Sequence, residues 1–122
     1  MSDEFLRVAK QEIQTELNGL EQIIALCNND EHLFANSQSI EGHLHKIKGL
    51  APMIGQEEVG EIAKISDNII KHIINEGVPS GAYFFMLQTI DDMKKILQGF
   101  GAYDISIFKK LAHEKFPTVR DL

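Results

Sequence analysis

The segment HLHKIKGLAPMIG, residues 43–55, combines side chains suited to group transfer with residues that weaken a helix. His45 carries an imidazole whose nitrogen can act as a nucleophile near neutral pH. Lys48 follows three residues later, and on a helix this spacing puts an ammonium group one turn away, where it suits an anion delivered to the histidine. A helical side chain leans back over the preceding turn, so Gly49 leaves His45 open to a docking macromolecule. The segment predicts an exposed nucleophilic histidine beside a cation.

A carboxylate is expected to face this histidine from the next helix. If a turn centred near residue 56 joins two antiparallel helices, residues equidistant from it face each other, which places His45 opposite Asp67 and Lys48 opposite Lys64. A carboxylate near one imidazole nitrogen would fix the tautomer and leave the other nitrogen as the nucleophile. The alternative is that Asp67 is simply solvated, because the pairing depends on the helix register.

The elements that must position these residues are helices, because apolar residues recur close to every 3.6 positions and strand-like alternation is absent. Five helices are predicted: about 3–27, from between 30 and 39 to near 54, about 56–75, from Pro79 to about 97, and about 104–115. Short connections favour antiparallel neighbours. The predicted fold class is all-α: an antiparallel up-down four-helix bundle over about 3–99 with an additional C-terminal helix, in a single domain, 1–122.

Each of the first four helices carries a predicted inward stripe of mostly apolar side chains. The stripes are Phe5, Val8, Ile13, Leu17, Leu20, Ile24 and Cys27; then Phe34, Ile40, Leu44, Ile47, Ala51 and Ile54; then Val59, Ile62, Ala63, Ser66, Ile69, Ile70 and Ile73; and finally Phe84, Leu87, Ile90, Met93 and Leu97. Gly55 and Gly77 are predicted helix stops, and Asp104 is the predicted cap of the last helix. Pro52 should bend or tighten the end of the second helix, since it lacks an N–H and clashes with the carbonyl of Lys48.

Composition excludes several classes of protein. The chain has 122 residues, 43% of them hydrophobic and 25% charged, which suits one domain with its own core. The net charge of −6 argues against a nucleic-acid partner. The single cysteine, Cys27, excludes an intramolecular disulfide and suits a reducing compartment. The longest apolar run, residues 82–87, is far too short to span a membrane, and the first residues contain no apolar signal core. We therefore expect a cytoplasmic protein without a membrane partner.

The string H-K-I-K-G-L-A-P-M-I-G, residues 45–55, resembles the signature of histidine-containing phosphotransfer domains. The matching positions are His45, Lys48, Gly49, the small residue Ala51, and Gly55. The following GQEEVGEIA, residues 55–63, is similar to the sequence after this motif in the phosphotransfer domain of chemotaxis histidine kinases. The resemblance extends over roughly residues 3–115.

The resemblance implies a phosphocarrier that has no cofactor and no ATP site of its own. His45 would be phosphorylated by the ATP-binding domain of a histidine kinase and would pass the phosphoryl group to an aspartate of a response-regulator receiver domain. Lys48 would stabilise the phosphoryl group, and Gly49 would give access. Asp67 stands where these kinases usually have glutamate, an acceptor for the histidine, and Lys64 stands where many have histidine. The shorter Asp67 is expected to hold His45 less tightly.

Two other classes of function fit the sequence less well. His43 and His45 point about 200° apart on a helix and cannot share an ion, and the inward Glu-x-x-His motifs of a bundle metal site are absent, so no metal is expected. No G-x-x-x-x-G-K-[ST] loop is present for a self-contained phosphotransferase. The remaining alternative is a helical module that only binds other proteins, in which His45 would be incidental. A His45 that is buried and hydrogen-bonded to backbone would favour that alternative.

Overall fold

The structure, a computed structural model, describes residues 2–120 and 122, and its regular elements are all helical. They are α1 (Asp3–Ala25), α2 (Asp30–Ala35), α3 (Ser37–Leu50), a 3₁₀ turn (Ala51–Ile54), α4 (Glu57–Glu76), α5 (Ala82–Leu97) and α6 (Ile105–Lys115). No strand occurs among the described residues. The all-α prediction is confirmed, and no described helix is both long enough and apolar enough to cross a membrane.

Helix α3 packs most extensively against α4, and next most against α1. Helix α5 contacts both α4 and α1, α6 lies against α4, and α2 contacts α5. Every residue of the predicted third stripe is buried on α4. The shared core is rich in isoleucine and leucine, whose branched side chains fill the space between the helices.

The predicted second helix is interrupted at both ends. Asn36, which adopts a non-helical conformation, separates α2 from α3, and Asn29 caps α2 by accepting a hydrogen bond from the backbone N–H of His32. The last predicted turn is a 3₁₀ helix with Pro52 in its first turn, so the predicted tightening is confirmed. Gly55 ends this turn with a left-handed φ of 78°.

Five of the predicted inward side chains are wrong because short apolar runs do not identify a unique face. The exposed ones are Phe5 and Val8 on α1, Phe34 on α2, and Phe84 and Leu87 on α5. Leu33 is buried in place of Phe34, while Phe85 and Met86 are buried on α5. The buried Phe85 ring packs against Phe108 of α6 and against Phe116 just after that helix, with centroids 5.4 Å and 4.9 Å apart. Cys27 is buried, as predicted.

Close contacts at two glycines bring α3 near both of its neighbours. A Cβ on Gly60 of α4 would lie 2.9 Å from Cγ of Pro52, and a Cβ on Gly19 of α1 would lie 2.6 Å from Cε1 of His43. His43 is half-buried, and its Nδ1 lies 2.8 Å from Oε1 of the buried Glu16. A larger residue at either glycine would have to displace the ring that it meets, Pro52 of the 3₁₀ turn in one case and His43 of α3 in the other.

The N-terminus of α5 is capped by a residue far away in the sequence. Pro79, predicted in the first turn of this helix, lies in the preceding turn instead, and the local cap position is Gly81, which has no side chain to offer. Asp30 of α2 supplies the acceptors: its Oδ2 accepts from the Gly81 N–H at 3.0 Å, and its Oδ1 accepts from the Tyr83 N–H at 2.8 Å. The carboxylate also faces the positive end of the helix dipole.

We predict that Asp30→Ala lowers the free energy of unfolding by about 1–2 kcal/mol, because two N–H groups of α5 lose their acceptor and the helix end loses a favourable charge. Urea unfolding followed by circular dichroism measures the change. Glu31→Ala is the matched control, since Glu31 is an exposed acid on the same short helix. Equal losses in the two variants would contradict the capping role.

Candidate functional site

His45 lies on α3 with its side chain 61% exposed. Its Nδ1 is the nitrogen that faces protein carboxylates, at 3.9 Å from Oε2 of Glu41 and 4.0 Å from Oδ2 of Asp67. Both distances exceed a hydrogen bond, so the ring is held loosely in this conformation. The predicted proximity of His45 and Asp67 is therefore present, without a hydrogen bond between them, and Asp67 itself is not solvated.

Access to His45 is open on the side of Gly49. A Cβ built on Gly49 has no heavy atom within 4 Å, so neither a neighbouring helix nor a loop accounts for a glycine there. Glycine costs about 1 kcal/mol relative to alanine in a helix interior. The space that it leaves lies over the turn that carries His45.

Asp67 is a fully buried carboxylate that joins α3 to α4. Its Oδ2 accepts a hydrogen bond from Nζ of Lys48 on α3 at 3.1 Å. Nζ of Lys71, one turn further along α4, lies at the same distance from that oxygen. A buried carboxylate requires such partners, because an unpaired charge away from water is very unfavourable.

The pKa values in this cluster depend on each other. Burial raises the pKa of the Asp67 carboxyl, but hydrogen bonds from Glu41, Lys48 and Lys71 outweigh burial and hold that pKa below its ordinary value. The pKa of Glu41 is raised, chiefly because its protonated carboxyl donates a hydrogen bond to Asp67, and further by burial and by the charge of Asp67. The hydrogen bond to Asp67 raises the pKa of Lys71. Asp67 is thus the more acidic of the two carboxyl groups, and Glu41 is the one that takes up a proton first as the pH falls.

Lys48 was predicted to lie opposite Lys64, and the contact that its ammonium group makes is with Asp67. Lys48 reaches Asp67 instead, whereas Lys64 is exposed and takes part in no hydrogen bond or ion pair within the described part of the chain. The long lysine side chain is drawn to the buried carboxylate, and two ammonium groups would repel each other. Asp67, by contrast, lies where equal spacing from the turn predicted it.

Sequence reasoning missed Glu41 and Lys71, which complete the charged cluster. Each stands four residues from a predicted site residue on the same helix, Glu41 before His45 and Lys71 after Asp67. Residues four apart share a helix face, so this spacing was the signal that could have found both.

An apolar groove of about 540 Å³ lies beside the exposed histidine. His45 and Gly49 form part of its lining, and Leu50 and Met53 form another part. The groove also includes Phe5 and Val8 of α1, the two residues that were wrongly assigned to the core. Phe5, Val8 and Met53 are 37%, 45% and 47% exposed. Apolar side chains gathered in this way are typical of a surface that contacts another protein.

Comparison of the chain with protein-family models, with curated proteins and with solved structures gave no match.

Proposed function

We propose that the chain is a histidine phosphocarrier of two-component signalling. In this proposal, His45 accepts a phosphoryl group from the ATP-binding domain of a histidine kinase and passes it to an aspartate of a receiver domain. The observation that carries the proposal is an imidazole 61% exposed, with Nδ1 turned to two carboxylates and the space over its turn left empty by Gly49. This is the reverse of the buried, hydrogen-bonded histidine that an interaction module would allow.

The carboxylates suit the charge changes of the transfer. In neutral imidazole the proton sits on Nδ1, facing Glu41 and Asp67, and the Nε2 lone pair is free to attack phosphorus. As the N–P bond forms, the P–O bond to ADP breaks, and positive charge develops on the ring. The carboxylates stabilise that charge once Nδ1 moves about 1 Å closer to an acceptor oxygen. In the second transfer the N–P bond breaks and a P–O bond to the receiver aspartate forms.

Lys48 has two roles in this mechanism. Its ammonium compensates the buried Asp67, and it lies one helical turn from His45, where it can attract the equatorial oxygens of the phosphoryl group. Lys71 compensates the same carboxylate oxygen from α4, so Asp67 keeps a cationic partner if Lys48 turns to the phosphoryl group. Lys64, which the family resemblance pointed to, is not part of this proposed cluster.

The partner protein supplies what this chain lacks. The sequence contains no glycine-rich phosphate loop, so the ATP site and Mg²⁺ belong to the kinase and the receiver. The groove that runs from Phe5 to Met53 is the proposed docking surface. The proposed scaffold is an up-down four-helix bundle of α1, α3, α4 and α5 with α6 as the additional helix, and the proposed location is the cytoplasm.

We predict that phosphoramidate, a small phosphoryl donor, gives one acid-labile, alkali-stable adduct on the wild-type chain and none on His45→Gln. Intact-protein mass spectrometry after incubation makes the measurement. His113→Gln is the control because His113 is an exposed histidine on α6, away from the cluster. An adduct that persists in His45→Gln, or that is lost in His113→Gln, would contradict the assignment. Failure of the wild type to react with phosphoramidate would favour the plain interaction module.

Gly49→Gln tests whether the empty space serves access. We expect transfer between the chain and a receiver domain to slow about tenfold, equivalent to about 1.4 kcal/mol of activation free energy, while phosphoramidate labelling changes much less. Gly42→Gln is a matched control, because a Cβ on Gly42 of the same helix also meets no atom within 4 Å. Its side chain leans away from His45, towards the start of α3. Equal slowing in both variants would show that access is not the reason for the glycine.

Lys48→Ala tests the direct electrostatic role. We expect phosphorylation of His45 to slow about tenfold without stopping, and to slow less in Lys71→Ala, since only Lys48 shares a helix face with His45. The two variants are matched, because each removes an ammonium 3.1 Å from the same Asp67 oxygen. Rates of phosphoramidate labelling provide the comparison. Identical rates in the two variants would show that Lys48 acts only as a partner of Asp67.

A further inference from the structure

The cluster around His45 has the composition of a metal site as well as that of a phosphoryl acceptor. Glu41 and His45 lie one turn apart on α3, and Asp67 faces them from α4. Each of the three residues offers one potential ligand atom, and these three atoms all lie within 4.8 Å of one another. An imidazole nitrogen with two carboxylate oxygens is a common set of protein ligands for Zn²⁺ and related divalent ions.

A buried oxygen of Asp67 provides a second observation at the same place. Asp67 is completely buried; its Oδ2 takes both lysine ammonium groups, and its Oδ1 has no donor among the described residues except the proton that Glu41 can carry. Glu41 brings a second carboxyl group to the same place, and a carboxylate is an acceptor only. Two carboxyl groups that share a site need a positive centre between them, and this can be a proton or a metal ion.

We propose that Glu41, Nδ1 of His45 and Asp67 bind one Zn²⁺, with water completing a tetrahedral set. Zinc bonds of 2.0–2.2 Å place neighbouring ligand atoms about 3.4 Å apart. The present separations of 3.9 Å and 4.0 Å from Nδ1 to the two carboxylates therefore have to shrink by about half an ångström. His45 and Glu41 have exposed fractions of 61% and 25% and are the side chains that move, whereas Asp67 is fixed by packing.

The two lysines disfavour metal binding, so their removal should change the zinc affinity in a known direction. Lys48 and Lys71 both lie against Asp67, so a dication entering the cluster meets two positive charges. Their side chains are 30% and 47% exposed and can turn towards water when the metal binds. Removing either ammonium should therefore tighten zinc binding, although loss of Lys48 should slow phosphorylation. A merely damaged cluster would lose both properties together.

Zinc on Nδ1 would make His45 a poor nucleophile. The bound metal draws electron density from the ring and leaves the remaining imidazole proton on Nε2, the nitrogen that would attack phosphorus. Zinc and phosphoryl group then exclude each other at one histidine. This consequence rests on the proposed phosphocarrier function, whereas zinc binding itself does not.

The experiment is a titration of the apo chain with ZnCl₂ in competition with a chromophoric chelator. We expect one ion per wild-type chain and binding at least about tenfold weaker in His45→Gln, Glu41→Gln and Asp67→Asn, a difference of about 1.4 kcal/mol for each. Binding should tighten in Lys71→Ala. His113→Gln and Cys27→Ser should match the wild type, the second because Cys27 is the single thiol of the chain. Circular dichroism checks folding, and if Asp67→Asn is unfolded the two α3 variants carry the test.

A zinc stoichiometry that survives both His45→Gln and Glu41→Gln, or that is lost in His113→Gln or Cys27→Ser, would overturn the site. So would the absence of binding to the wild type. Phosphoramidate labelling with and without zinc separates this proposal from the proposed function. Zinc binding without any labelling would retain the metal site and remove the phosphocarrier, whereas labelling without zinc binding would do the opposite.

Discussion

The buried carboxylate of Asp67 is the constraint on which the site depends. A charge with no exposure to water must be compensated within the protein, and removing one partner of such a pair typically costs 3–5 kcal/mol. The compensating ammonium groups come from different helices, Lys48 from α3 and Lys71 from α4. Because Lys48 must reach Asp67, the sliding of α3 along α4 is restricted. The register that satisfies this pair also brings Nδ1 of His45 beside the same carboxylate.

Steric contacts fix the same helix from two sides. Pro52 rests on Gly60 of α4 at the turn, and His43 rests on Gly19 of α1 while it contacts Glu16. Residues 43, 44 and 45 of α3 consequently have three different surroundings, since consecutive helical residues point about 100° apart. His43 faces α1, Leu44 is completely buried in the core, and His45 is open to solvent beside Asp67. Three adjacent residues of α3 thus have different roles: His43 contacts α1, Leu44 packs in the core, and His45 is available for chemistry.

The surface around His45 has features that lower the stability of the fold and leave side chains exposed. Gly49 weakens the helix where no neighbour demands a glycine, and Phe5, Val8 and Met53 leave apolar area in water. Each feature is unfavourable for an isolated fold, and each favours contact between His45 and a second molecule. A loosely held imidazole is consistent with this arrangement, since its nitrogen lies about 4 Å from its two carboxylates and can respond to whatever cation or phosphoryl group arrives.

The sequence by itself determined the helical class, most helix ends and the core of α4, because apolar periodicity, the glycines at positions 55 and 77, Pro52 and Asp104 act locally. It also indicated the exposure of His45 and its proximity to Asp67, which follow from spacing around one turn. Only the tertiary structure decided which of two adjacent phenylalanines on α5 is buried: Phe85 packs against Phe108 and Phe116, which are distant in the sequence. It also decided that Phe5 and Val8 line a groove instead of the core. The partners of Asp67 belong to this second group. Equal spacing from the turn placed Lys48 opposite Lys64, whereas in the structure Lys48 and Lys71 compensate a carboxylate whose burial depends on how whole helices pack.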